Sequence, residues 1–221
     1  MTPFLLVLSS PSGVGKSTIA RHLLAARDDL AYSVSATTRA PRASEQDGVE
    51  YHFLTPEQFK EQADAGAFLE WATYGGHQYG TLRSEVEAIL ASGKNAVLDI
   101  EVAGAAQVRE RMPHSIHVFL VPPDARTMVG RLTGRKTDSD DAVARRIAHA
   151  REELSHVAEY DYVVLNDDLV HAVDRVAAIL DAEGTRVTRR AGLDAFVKKL
   201  RADLGTVALT EATESSVREN A

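Results

Sequence analysis

The sequence predicts an α/β protein with a parallel central sheet and helices on both sides. Two observations carry this. Short apolar runs at Phe4–Leu8, Asn95–Ile100, Ile116–Val121 and Tyr162–Leu165 alternate with helical periodicity near 16–26, 83–92, 104–112, 124–133 and 140–157. The first run also leads directly into Ser-Ser-Pro-Ser-Gly-Val-Gly-Lys-Ser-Thr at residues 9–18, a glycine-bent loop between a strand and a helix.

Phe4–Leu8 is apolar at every position, as a strand buried on both faces must be, and Ile19, Ala20, Leu23 and Leu24 follow with helical spacing. The loop between them opens a helix, where first-turn N–H groups have no intrahelical partners and attract anions. Gly13 and Gly15 let the backbone approach phosphate oxygens without a Cβ in the way. Ser10, Pro11, Ser12, Gly13, Val14, Gly15, Lys16, Ser17 and Thr18 thus read as a nucleoside-triphosphate cradle. Lys16 is its point charge, Ser17 a magnesium ligand and Thr18 a further donor. The usual pattern G-x-x-x-x-G-K-[ST] has glycine where this chain has Ser10.

Helix ends are marked. Thr55-Pro56-Glu57-Gln58 reads as a capping box with proline at the first helical position, Gly93 follows the 83–92 helix, and Gly184 follows a helix at 169–181. Val143, Ile147, Ala150, Leu154 and Val157 form one core stripe, and Leu169, Val173, Val176 and Leu180 another. Leu193, Phe196, Val197 and Leu200 outline a last amphipathic helix, whose apolar face packs on the chain's own core or on a second subunit. Residues 205–221 read as a polar tail with too little apolar content to fold.

Two stretches break the rhythm. Residues 34–82, with short strands near Tyr51–Leu54 and Phe68–Ala72, read as an inserted lobe. The segment Arg131–Arg146 is charged and glycine-containing, and is expected to be a mobile lid.

With 221 residues the chain suits one domain with lobes. Zero cysteines, no basic stretch before Phe4 and no apolar run near about 18 residues read against disulfides, a secretory signal and a membrane span, so a cytoplasmic location is expected. The net charge of −7 reads against a nucleic-acid-binding surface. His114 and His117, expected on opposite faces of one strand, make no metal site.

Arg39 and Arg42 lie three residues apart with Tyr51 close behind; two guanidinium forks and a phenol suit a phosphate monoester. Asp99 ends an apolar strand, where a parallel sheet presents ligand-binding groups, and is placed to join a magnesium shell with Ser17.

From residue 33 the chain resembles the guanylate kinase family. The resemblance rests on Ser-Val-Ser-Ala-Thr-Thr-Arg-Ala-Pro-Arg at 33–42, then Phe68-Leu69-Glu70-Trp71, Tyr79-Gly80-Thr81, Leu98-Asp99-Ile100-Glu101, Glu159-Tyr160-Asp161-Tyr162 and Asn166-Asp167-Asp168, in the family's order and over about residues 3–183. It implies a three-layer α/β/α P-loop kinase: a core at 1–33, 83–124 and 157–204, a mixed-β GMP-binding lobe at 34–82, and a helical lid at 125–156. It implies transfer of the γ-phosphoryl of MgATP to GMP and to dGMP, in purine salvage and GMP recycling, by a monomer or homodimer.

By that similarity Arg39, Arg42, Tyr51 and Tyr79 hold the GMP phosphate, with Glu45 beside the arginines. Ser35 and Thr81 donate to the base, Glu101 reaches the guanine N2, Asn166 lies near the adenine, and Lys16, Arg42, Arg131, Arg135 and Arg146 neutralise charge during transfer. The family generally has aspartate where this chain has Glu101, and glutamine is common where it has Ala103. Glu70 has a chemical reason of its own. Guanine offers adjacent N1–H and N2 donors that match one carboxylate, whereas adenine presents an acceptor at N1, a mismatch costing about 1–3 kcal/mol. Two other readings stay open: a kinase on the same fold acting on a sugar phosphate, and a noncatalytic scaffold that binds peptides in the cleft.

Overall fold

The computed structural model describes residues 1–11, 13–133 and 140–204. They form two compact units: Pro3–Leu180, and Met1–Thr2 with the chain from Asp181 onward.

The larger unit is built on a five-stranded parallel sheet in the order β2-β7-β1-β8-β9, with β1 Leu5–Ser9, β2 Leu30–Tyr32, β7 Asn95–Asp99, β8 Ile116–Val121 and β9 Tyr162–Leu165. All five residues of β1 are buried, because alternate side chains enter cores on opposite faces. Leu6 and Leu8 join Ile19 and Leu23 of α1 (Lys16–Ala26) and Val176 of α7 (Leu169–Thr185). Leu5 and Val7 join Val86 of α3 (Arg83–Ala91) and Val108 of α4 (Val102–Arg111). These are the three layers expected.

A smaller four-stranded mixed sheet, β4-β3-β6-β5, comprises β3 Ser35–Thr37, β4 His52–Phe53, β5 Phe68–Tyr74 and β6 His77–Leu82. Its core is Ala36, Phe68 and Phe59, the last from α2 (Pro56–Asp64). The capping box that opens α2 is complete: Gln58 N donates to Thr55 Oγ1 at 3.2 Å, and Thr55 N donates to Gln58 Oε1 at 2.8 Å. Helices α5 (Ala125–Thr133) and α6 (Asp140–Ser155) pack through Met128, Leu132, Ala150 and Leu154.

Several expectations need correction. Strand β1 is shifted by one residue and includes Ser9, which its neighbours hold in the ladder. Gly184 lies within α7 rather than after it, since a lone glycine weakens a helix without ending it. His114 lies outside the strand that contains His117. Ile147 of the expected core stripe is 37% exposed. Gly93 does close α3, in the left-handed conformation at φ +86°. The helix expected after Leu193 is present at 193–204, with Phe196, Val197 and Leu200 exposed. Arg135, Ser12 and the tail at 205–221 lie outside the described residues.

Candidate functional site

From β1 the chain turns toward β2 on one side of the sheet, whereas from β7 it crosses over β1 to β8 on the other, so a crevice opens at the carboxyl end of β1. The chain leaves that end through the glycine-bent loop. Gly13 (φ +83°) and Gly15 (φ +99°) adopt backbone conformations that side-chain-bearing residues avoid, and Gly15 caps α1. Ser10 Oγ donates to the Pro11 carbonyl at 2.9 Å, and Val14 N reaches back to the same carbonyl.

The loop is braced from behind. Asn166, just past β9, donates from Nδ2 to the Val14 carbonyl at 2.5 Å, and Arg131 Nη1 donates to that carbonyl at 3.1 Å. These residues hold the loop's shape. Arg146 Nη1 donates to Leu132 O at 2.6 Å, which ties α6 to the end of α5.

Register places Asp99 opposite Leu8, level with the start of the loop. Burial pushes its carboxyl above the usual aspartate range, while a hydrogen bond from Ser17 and the Lys16 charge oppose the shift. Lys16 Nζ stands 3.6 Å from Glu101 Oε1. A serine hydroxyl and one carboxylate are the hard oxygen ligands that suit magnesium, which keeps most of its shell as water and phosphate. The residues present fit that ion.

Across the cleft, Glu45 organises the two arginines. Its Oε1 accepts from Arg39 Nη2 at 2.8 Å and its Oε2 from the Arg42 backbone N–H at 2.8 Å. Those bonds hold its carboxyl below the usual glutamate range, the Arg39 bond most of all. Arg39 also lies over the Tyr51 ring at 5.4 Å and hydrogen-bonds with Tyr79. The Arg42 guanidinium stays 75% exposed, 4.0 Å from Glu45.

The pairing of the small sheet aligns three polar residues. Ser35 of β3 lies opposite Thr81 of β6, and Thr81 opposite Glu70 of β5, so the three share one face. Glu70 is only 7% exposed, and Thr81 donates from Oγ1 to its Oε1 at 2.7 Å. Burial pushes the Glu70 carboxyl upward, and the Thr81 bonds partly offset it. Thr81 is therefore already committed to orienting the carboxylate.

A cleft of about 570 Å³ gathers Lys16, Ser17, Ser35, Tyr51, Glu70, Tyr79, Asp99 and Glu101 on its walls. Arg39, Arg42 and Glu45 are held beside Tyr51 and Tyr79; Asn166, Arg131 and Arg146 lie on the loop and helix side. Sequence reading missed Tyr32, which lines the cleft and whose phenol burial pushes up. It also missed Gly104, whose one available signal was a glycine inside a helical pattern.

A parallel sheet that opens its switch point onto such a loop, beside a small mixed sheet, defines the P-loop class of α/β nucleotide kinases. The guanylate kinase family model matches residues 3–183. The guanylate kinase of Sphingopyxis alaskensis is 49% identical over 197 residues, covering 89% of this chain and 90% of the relative. That of a Chelativorans species is 48% identical over 200 residues, covering 90% and 92%. The crystal structure of guanylate kinase from Anaplasma phagocytophilum superposes with a TM-score of 0.71 at 33% identity, covering 90% of this chain and 95% of that one. The chain belongs to the guanylate kinase family.

Proposed function

We propose that this protein transfers the γ-phosphoryl group of ATP to the phosphate of GMP, giving ADP and GDP. Membership of the family supports the reaction, and the observation that carries the choice of acceptor is Glu70. A carboxylate buried in the cleft needs donors to offset its lost hydration, and the Thr81 hydroxyl supplies one, to Oε1. Guanine's N1–H and N2 supply the rest. A sugar phosphate has no such edge, and a scaffold would not need the intact loop with Lys16 and Ser17.

In the proposed complex ATP lies along residues 10–18. GMP lies under the 34–82 lobe, its phosphate on Arg39, Arg42, Tyr51 and Tyr79. A GMP phosphate oxygen attacks the γ-phosphorus in line, and the bond to the β-bridging oxygen breaks, releasing ADP. The acceptor is already ionised, so no strong base is required. Lys16 leaves Glu101 for the β and γ oxygens, which makes the 3.6 Å ion pair a resting partner. Arg42 is free to follow the transferred group, and Arg131 and Arg146, with Arg135 beyond the described residues, are assigned to the lid side. Ser17 and Asp99 would hold magnesium, which supplies neutralisation of the phosphate oxygens. Closure of the lobe and of a lid at 125–156 would exclude water that otherwise hydrolyses ATP.

Cysteine-free composition and the lack of any helix among the described residues long and apolar enough to cross a membrane support a cytoplasmic site of action. The function is tested by ADP release from MgATP with GMP, dGMP, AMP, CMP and UMP offered separately. Turnover with the guanine nucleotides alone is expected. Equal turnover with AMP, or none with GMP in protein that binds ATP, would overturn the reading.

A further inference from the structure

We propose that Gly104 is a specificity-determining position: its missing side chain makes the space in which the Glu70 carboxylate lies, and Gln107 and Arg111 on the same face of α4 fix the strand that carries it. The proposal rests on the reading of Glu70 as the group that recognises guanine.

A Cβ built on Gly104 would stand 2.7 Å from Glu70 Oε2 and 3.2 Å from its Cδ, closer than side-chain carbons and carboxylate oxygens approach. The backbone gives no competing reason for glycine, since Gly104 has none of the positive φ angles found elsewhere in the chain. It lies in the first turn of α4, in a helical conformation that alanine adopts as readily. Glu70 is thus the group that alanine would displace. Its other oxygen is already fixed by Thr81, so displacement would turn the carboxylate away from one guanine donor while keeping its charge.

The same helix face pins the backbone. Between Phe68 and Glu70 the β5 ladder slips by one residue, sending Phe68 into the small core and Leu69 into the large one. β5 is also an edge strand, with one side unpaired by other strands. Arg111 Nη1 donates to Leu69 O at 2.7 Å and to Phe68 O at 3.4 Å. Gln107 accepts from Trp71 N at 3.3 Å and donates to Trp71 O at 3.1 Å, as a neighbouring strand would. Residues 104, 107 and 111 fall on one helix face by their spacing. Gly104 and these two side chains therefore position residues 68–71 from a single element.

The test is steady-state kinetics of Gly104→Ala with GMP and with IMP, which lacks the N2 amino group, beside Glu70→Gln, Glu70→Asp and the pair Gly104→Ala with Glu70→Asp. The thermal midpoint of each variant is followed in parallel. Gly104→Ala is expected to raise KM for GMP roughly 10- to 100-fold and to erode the GMP-over-IMP ratio. KM for ATP and the thermal midpoint should hold or improve. In the Glu70→Asp background, whose shorter arm withdraws from residue 104, the alanine should add nothing. Arg111→Met should raise KM for GMP without changing that for ATP. If Glu70→Gln weakens GMP while Gly104→Ala does not, the proposal is overturned and the guanine reading stands. If Glu70→Gln leaves GMP untouched, both are overturned. Equal losses with GMP, IMP and ATP would mean a general structural defect and would also overturn it.

Discussion

At the level of single residues, the site is governed by charges held in places water would not choose. Burial raises the Glu70 carboxyl, yet the guanine contact proposed for it needs it ionised, because a protonated oxygen would meet an N–H with its own proton. KM for GMP should therefore rise as pH falls through a value above the ordinary glutamate range, while KM for ATP does not follow; Glu70→Gln should abolish that dependence. Pre-steady-state or initial-rate titrations at several pH values check this. Lys16 makes the complementary case. Its partner Glu101 is 60% exposed, so the pair contributes about 0–1 kcal/mol, and Glu101→Gln should lower KM for ATP by no more than roughly fivefold. The Gly-Lys-Ser core of the loop and the Arg39, Arg42 and Tyr51 grouping were legible in the sequence, because residues at short spacing carry local geometry with them, whereas Glu45 was placed beside the arginines by the family resemblance alone. The Thr81–Glu70 bond was not legible. It joins residues eleven apart through a strand register that no local pattern specifies.

Single elements explain why the polar row exists at all. Strand β5 would alternate its side chains between faces if regular, and the slip at Phe68–Glu70 lets three successive residues be buried in different places. A short strand near Phe68–Ala72 was legible there, but not the slip. Periodicity likewise located α4 without revealing that its glycine, glutamine and arginine are contacts to β5, since helical spacing shows which residues share a face and not what the face meets. Helix α2 was read correctly from Thr55-Pro56-Glu57-Gln58, a signal complete within four residues. Removing the cap with Thr55→Ala should cost about 1 kcal/mol, measurable by chemical denaturation. Because α2 supplies Phe59 to the small sheet's core, it should also raise KM for GMP more than that for ATP.

For the molecule as a whole, the five-stranded sheet is both the stability reservoir and the frame that aligns loop, Asp99 and cleft. His117 of β8 is 1% exposed, with Nε2 2.8 Å from Ser115 Oγ. Burial and the nearby Arg109 charge push its pKa down to about 4. Between that value and the ordinary histidine range near 6.5 the unfolded chain binds the proton and the folded one does not, so stability falls as pH drops across the window. The loss should reach up to about 3 kcal/mol by urea unfolding at pH 7 and pH 4, and His117→Asn should flatten it. The alternation of elements was legible because it is written in apolar runs; the order β2-β7-β1-β8-β9 was not, because strand neighbours are chosen by long-range packing. The proposed recognition of the acceptor through one buried carboxylate is tested by the ratio of kcat/KM for GMP to that for AMP in the unmodified protein and in Glu70→Gln. A large preference for GMP that the substitution cuts at least about tenfold is expected; a preference unchanged by the substitution would overturn the assignment of Glu70.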